Sequence, residues 1–213
     1  MTDLQELYSA ADLDILKNYV KKHYGKSQSV YRDYSSSGVH LDITVIPPKI
    51  GKPFYTLVTM GMGAHKMTVP DRLKKICGER TELILVLDKG WRLEEKSEEW
   101  YWPLHLMRDA ARTLAEKNSC FGAFHLIDMN KYYDPLNKFC GAILAESEVD
   151  ITDDMTPCVL TDGSRIKFLQ FIPLFREELR YGRDHGGERL FDMLKENSLN
   201  LVYGLDSERH SVV

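Results

Sequence analysis

Residues 40–67, HLDITVIPPKIGKPFYTLVTMGMGAHKM, constrain this chain more than any other stretch. His40 to Val45 alternate polar and apolar side chains, the period of a strand with one buried face. Pro47 and Pro48 end that strand, because proline cannot donate to a ladder. Gly51, Lys52 and Pro53 turn the chain. Phe54 to Met60 are rich in β-branched and aromatic residues and predict a second strand. Gly61 and Gly63 then form a structural corner, where at least one glycine should take positive φ. A hairpin that runs into a glycine corner anchors a sheet, and the rest of the chain must pack around it.

The remaining runs supply more strands than helices. TELILVL, at residues 81–87, is the most apolar run and predicts a central strand. Residues 123–127 and 139–144 predict two more, and residues 165–175 a long one. Residues 29–34 predict a short edge strand. Thr2 with Gln5 fits a capping box, with Asp12 restarting the helix and Gly25 stopping it. Pro103 suits the first turn of a helix whose inner stripe is Leu104, Met107, Ala111 and Leu114. Residues 94–99 predict a solvated charged loop. Glu177 and Glu178 open a short helix, and Asp184 can cap the next. Strands that follow one another, rather than alternating with helices, predict an α+β fold with a mixed, mostly antiparallel sheet. Leu57, Leu85, Leu169 and Phe171 belong in its core. The expected organisation is one domain over residues 1–197, with the helical segment 2–24 included, and a partly ordered tail at 198–213.

Composition narrows the function classes. The chain has 213 residues and a formal net charge of -4. That balance gives no general affinity for nucleic acid or an anionic membrane. No apolar run approaches the ~20 residues a membrane span needs. Cys77, Cys120, Cys140 and Cys158 are scattered without ligand spacing and read as reduced thiols of a cytoplasmic protein.

Chemistry is sparse. His40, Asp42 and His65 are the one set of residues able to form an acid–base pair or part of a metal site, which would suit a metal-dependent hydrolase or another enzyme. A zinc site normally needs three or four clustered ligands, and no further His or Cys falls at ligand spacing. The glycine corner lacks the spacing of a phosphate loop. The reading is therefore no catalytic residue, no metal and no cofactor. For partner binding the candidates are Tyr132 and Tyr133, in a loop between two strands, and Asp150, Asp153 and Asp154, in the acidic loop at 146–154. Tyrosines give large contact area at low entropic cost, and carboxylates steer a basic partner.

Four segments, in this order, resemble the suppressor-of-fused domain. They are TLVTMGMGAHKM (56–67), ELILVLDKGW (82–91), WPLHLMRDAAR (102–112) and the run from Arg165 to Leu194. The resemblance spans roughly residues 30–194. It implies a mixed α/β fold without catalytic residues that works by binding another protein. Animal members hold transcription factors inactive, and bacterial members resemble immunity proteins that neutralise toxins. The single-domain layout is similar to the bacterial form, so the implied partner is a protein such as a toxin domain. The Tyr and Asp with which animal members hold their peptide fall here at Thr113 and Phe124. The animal peptide clamp therefore does not carry over to this chain.

Overall fold

Strands that are apolar on both faces must be covered on both faces, and this sheet is. The computed structural model describes residues 6–34, 39–74, 77–95, 97–116, 120–136, 138–147, 156–197, 205 and 209–213. Its strands are β1 (Ser29–Tyr31), β2 (Asp42–Ile46), β3 (Phe54–Met60), β4 (Arg80–Asp88), β5 (Leu126–Asp128), β6 (Phe139–Glu146), β7 (Cys158–Val159) and β8 (Arg165–Phe175). They form one eight-stranded sheet in the order β1-β2-β3-β4-β8-β6-β5, with β7 also paired to β8. The fold is the expected α+β arrangement. Every pairing is antiparallel except β4–β8, where Leu83 lies beside Leu169 in a parallel register.

The hairpin forms as its residues dictate. Val45 faces Leu57 across β2–β3, and Leu57 faces Leu85 across β3–β4. Gly51, at φ 81°, makes the turn between β2 and β3. Leu57, Leu85, Leu169 and Phe171 are all buried, as expected.

Four helices cover the sheet among the described residues: α1 (Ala10–His23), α2 (Glu98–Glu116), α3 (Arg176–His185) and α4 (Gly187–Asn197). Alternation along β8 sorts the layers. Leu169 and Phe171 point into the core that Leu104, Met107 and Ala111 of α2 complete. Ile166 and Phe168 point the other way, against Leu16 and Val20 of α1. Ile172 and Leu174 share that second face further along and pack on Leu179, Leu190 and Leu194 of α3 and α4. The buried Gln170 lies between these two patches.

Several boundaries differ from the sequence reading. The Thr2 capping box lies outside the described residues, and α1 is capped instead by Ser9, whose Oγ accepts from the Asp12 amide at 3.1 Å. Helix α2 begins at Glu98, so Pro103 sits inside it rather than in its first turn. The Ser97 carbonyl accepts the Trp100 and Tyr101 amides at 3.1 and 3.0 Å, and Glu98 and Glu99 suit the positive end of the helix dipole. Strand β5 is shorter and later than expected, because Phe124 takes φ 66°. Asp184 lies within α3 and does not cap α4. The break falls at Gly186, φ 96°, which ends α3.

Candidate partner-binding site

Near the glycine corner β3 parts from β4, and the Thr59 and Glu82 side chains take over the hydrogen bonds. Beyond Val58 the Thr59 hydroxyl accepts the Leu83 amide at 2.7 Å and donates to Glu82 at 2.5 Å. Glu82 is fully buried on β4. Its Oε1 accepts the Tyr8 hydroxyl at 2.8 Å and the Gly61 and Gly63 amides at 3.0 and 3.1 Å. Burial pushes the Glu82 carboxyl above its ordinary range, and these donors pull it back only in part. Burial, then the Glu82 charge, push the Tyr8 phenol upward in turn. Arg80 clamps the corner from outside, donating to the Gly63 and Ala64 carbonyls at 2.9 and 2.7 Å. Gly61 has φ 146°, and a Cβ there would sit on the His40 carbonyl oxygen. A Cβ on Gly63 would meet the Tyr8 hydroxyl.

The three residues of the enzyme reading separate into two pairs. His40 Nε2 lies 3.3 Å from Asp42 Oδ1, and that carboxylate also accepts the Asp33 amide at 2.9 Å. His65 Nδ1 turns instead to Glu6, at 2.6 Å. No three His, Cys, Asp or Glu side chains among the described residues are grouped to hold a metal ion. All four cysteines are free thiols.

The loop after β5 carries the tyrosines, and its surroundings give them different jobs. The Tyr133 hydroxyl donates to Asp109 of α2 at 2.8 Å, and Lys131 Nζ reaches the same oxygen at 2.7 Å. Burial pushes the Asp109 carboxyl up, but these two donors outweigh it and hold it below the usual carboxylate range. Burial first, then Asp109, push the Tyr133 phenol upward. Tyr133 therefore ties the loop to α2. Tyr132 is 44% exposed and lies beside the Arg176 guanidinium, 5.4 Å from its ring centre. Asp128 holds Arg176 and Arg183 at 3.4 and 2.6 Å. Buried Asp134 shapes the next turn by accepting the Lys138 and Phe139 amides, each at 2.7 Å. That turn presents Leu136, 63% exposed. Asp150, Asp153 and Asp154 lie outside the described residues.

Trp102 stacks on Phe139 with ring centres 5.0 Å apart and anchors α2 on the sheet. Trp91, Trp100 and Leu136 enclose a hollow of about 300 Å3 next to that stack. Sequence reasoning missed the polar strap at the other end of the sheet. Arg209 forks onto buried Glu178 of α3, at 2.7 and 2.8 Å, and donates to the Pro173 carbonyl at 2.7 Å. Glu178 also accepts the Phe175 amide at 2.9 Å, and the Arg209 guanidinium lies 4.4 Å from the Phe175 ring centre. Glu178 was visible as a helix opener, but nothing local in the polar tail marked its partner.

The profile of the family described as suppressor of fused protein matches residues 37–209. No curated protein matches the chain. Among solved structures, the chain is similar to one described as the Sufu-Fu complex, at 12% identity and TM-score 0.63, covering 98% of this chain and 93% of that one. It is similar to a suppressor of fused homologue from Neisseria gonorrhoeae FA 1090, at 14% identity and TM-score 0.62, covering 97% of each chain. Drosophila Suppressor of Fused gives 13% identity and TM-score 0.61, over 95% of this chain and 50% of that one.

Proposed function

This chain belongs to the suppressor of fused family, and from that premise we propose that it is a non-catalytic protein-binding module. The family match over residues 37–209 is the observation that carries the reading. One of the similar structures is described as a Sufu-Fu complex, which makes protein partnership a precedent within the fold. The finer reading is an immunity or antitoxin type of inhibitor in the cytoplasm, which occludes a toxin domain. No helix among the described residues is long and apolar enough to cross a membrane.

Tyr132 and the acidic loop with Asp150, Asp153 and Asp154 are the proposed contacts. Exposed Tyr132 and Leu136 offer apolar area on a loop pinned by Asp109 and Asp134, so little ordering entropy is lost on binding. Tyr133 supports that surface from beneath.

Capture of a partner from the native host tests this reading. Tyr132→Ala should weaken the captured complex by more than ~1 kcal/mol in a titration, with an unchanged melting temperature. Neutralising Asp150, Asp153 and Asp154 should slow association and flatten its salt dependence. The rival reading is a metal-dependent hydrolase. Turnover of a substrate by the isolated protein, lost in His40→Ala or Asp42→Ala, would establish it instead.

A further inference from the structure

A second surface lies at the opposite edge of the sheet, beside β1, and it is lined by cations. Two adjoining hollows of about 450 and 310 Å3 run between α1 and the β1–β2–β3 edge. They share Lys17, Val30, Thr44 and Met60, so they form one groove. Lys17 and Arg32 line the first, and Lys17, Lys21 and Lys26 the second. All four cations are exposed, and among the described residues none of them has a hydrogen bond or an ion pair. His40 also faces the first hollow. Asp42 is the one acid in the lining, and it is held by His40 and the Asp33 amide.

This arrangement is not accounted for by the fold. The dipole of α1 favours a cation in its last turn, which explains Lys21. It does not explain Lys17 in the middle of the helix, nor Lys26 and Arg32 off it. A chain of net charge -4 gathers unpaired positive charge here, on a concave surface with an aliphatic floor. Val30, 45% exposed, and Met60 and Leu13 supply that floor.

We propose that this groove docks an acidic segment of a partner protein, one that carries aliphatic side chains between its carboxylates. The four cations match the carboxylates, and the two hollows leave room for aliphatic side chains against the Val30 and Met60 floor. The floor argues against nucleic acid, which is recognised by stacking on aromatic rings. Tyr8 and His40 are the aromatic rings in the lining, and both are committed, Tyr8 through its hydroxyl to Glu82 and His40 to Asp42. A membrane surface would be met by protruding apolar residues rather than by a concave floor. The inference rests on the reading that the chain works by binding protein, and adds a partner chemistry and a place. A partner held at Tyr132 and at this groove would be engaged at both edges of one rigid sheet.

The test uses the full chain and a fluorescent synthetic peptide that alternates Glu and Leu, read by anisotropy. A Lys–Leu peptide, a single-stranded oligonucleotide and phosphatidylserine vesicles are the comparison arms. The Glu–Leu peptide should bind through the groove, and any binding of the Lys–Leu peptide should be indifferent to the groove cations. Raising ionic strength should weaken binding, and Lys17→Glu with Lys21→Glu, Lys26→Glu and Arg32→Glu should weaken it by about tenfold or more. Val30→Ser should weaken it without changing the charge of the groove. Circular dichroism checks that the variants fold, and Arg32→Glu alone serves if the fourfold variant does not. No binding of the Glu–Leu peptide, an unchanged affinity in the variants, or preference for the oligonucleotide or vesicles would overturn the proposal. None of these outcomes involves the captured partner, so the groove can fail while the binding function stands.

Discussion

At the scale of single residues, Gly61 and Glu82 decide whether the corner exists. The backbone at φ 146° is open to glycine and strained for other residues. Gly61→Ala adds a collision with the His40 carbonyl, so it should lower stability by at least ~2 kcal/mol in denaturant melts. Wild-type stability would mean that the corner has another backbone path. Gly63→Ala should cost less, because the Tyr8 side chain it meets can move. Glu82 makes a claim about pH. Its folded-state carboxyl titrates above the ordinary 4.5 because it is buried, so the folded protein holds the proton more tightly than the unfolded chain. Stability from this group is complete below about 4.5 and is lost as pH rises through the raised folded value. Glu82→Gln should flatten that slope in melts taken across acid to neutral pH, since an amide oxygen still accepts from Gly61, Gly63 and Tyr8. Glu82→Leu should be far worse at every pH, because it strands those three buried donors. A Gln variant with an unchanged slope would refute the assignment.

At the scale of elements, the strands were legible in the sequence and the polar joints between them were not. Apolar runs around Leu57, Leu85, Leu169 and Phe171 announced their own burial, because period and composition are local properties. Charge misled where helix and loop share it. Glu98 and Glu99 read as solvated loop, yet a first helical turn favours the same residues. Pro103 drew the helix start forward because its preference for first turns is strong. Glu82 stood unremarked inside an apolar strand, since its donors come from Tyr8, Thr59 and the corner. The same distance hid Arg209. Removing that arginine leaves Glu178 as an uncompensated buried charge, so Arg209→Ala should cost ~3–5 kcal/mol by chemical denaturation. Arg209→Met combined with Glu178→Met should recover much of the loss. If the double variant is as unstable as the single one, the strap contributes more than its charge pair. The exposure of the candidate loop was half legible. Tyr132 is exposed as the loop reading implied, whereas Tyr133 belongs to the support. No local pattern marked Lys17, Lys26 and Arg32 as neighbours.

At the scale of the whole molecule, one joint differs from the others. Strands β1 to β4 follow one another in space as in sequence, an antiparallel meander. Among the named strands the β4–β8 pair is the one parallel seam, and the chain reaches it only after α2, β5, β6 and β7. Bringing such distant segments together costs loop-closure entropy before any contact compensates it. The order of assembly follows: the meander condenses first, and the seam with β8 zips late. Truncation within the meander should then slow refolding, while truncation at the seam should chiefly hasten unfolding. Stopped-flow chevrons of Leu57→Ala and Leu169→Ala would separate the two, and a refolding rate slowed more by the second would reverse the order. Until that seam closes, β4 is an open edge lined with Leu83, Ile84 and Leu85. A newly made chain therefore passes through a stage at which its most apolar strand is available to a second copy, and aggregation competes with folding at that step.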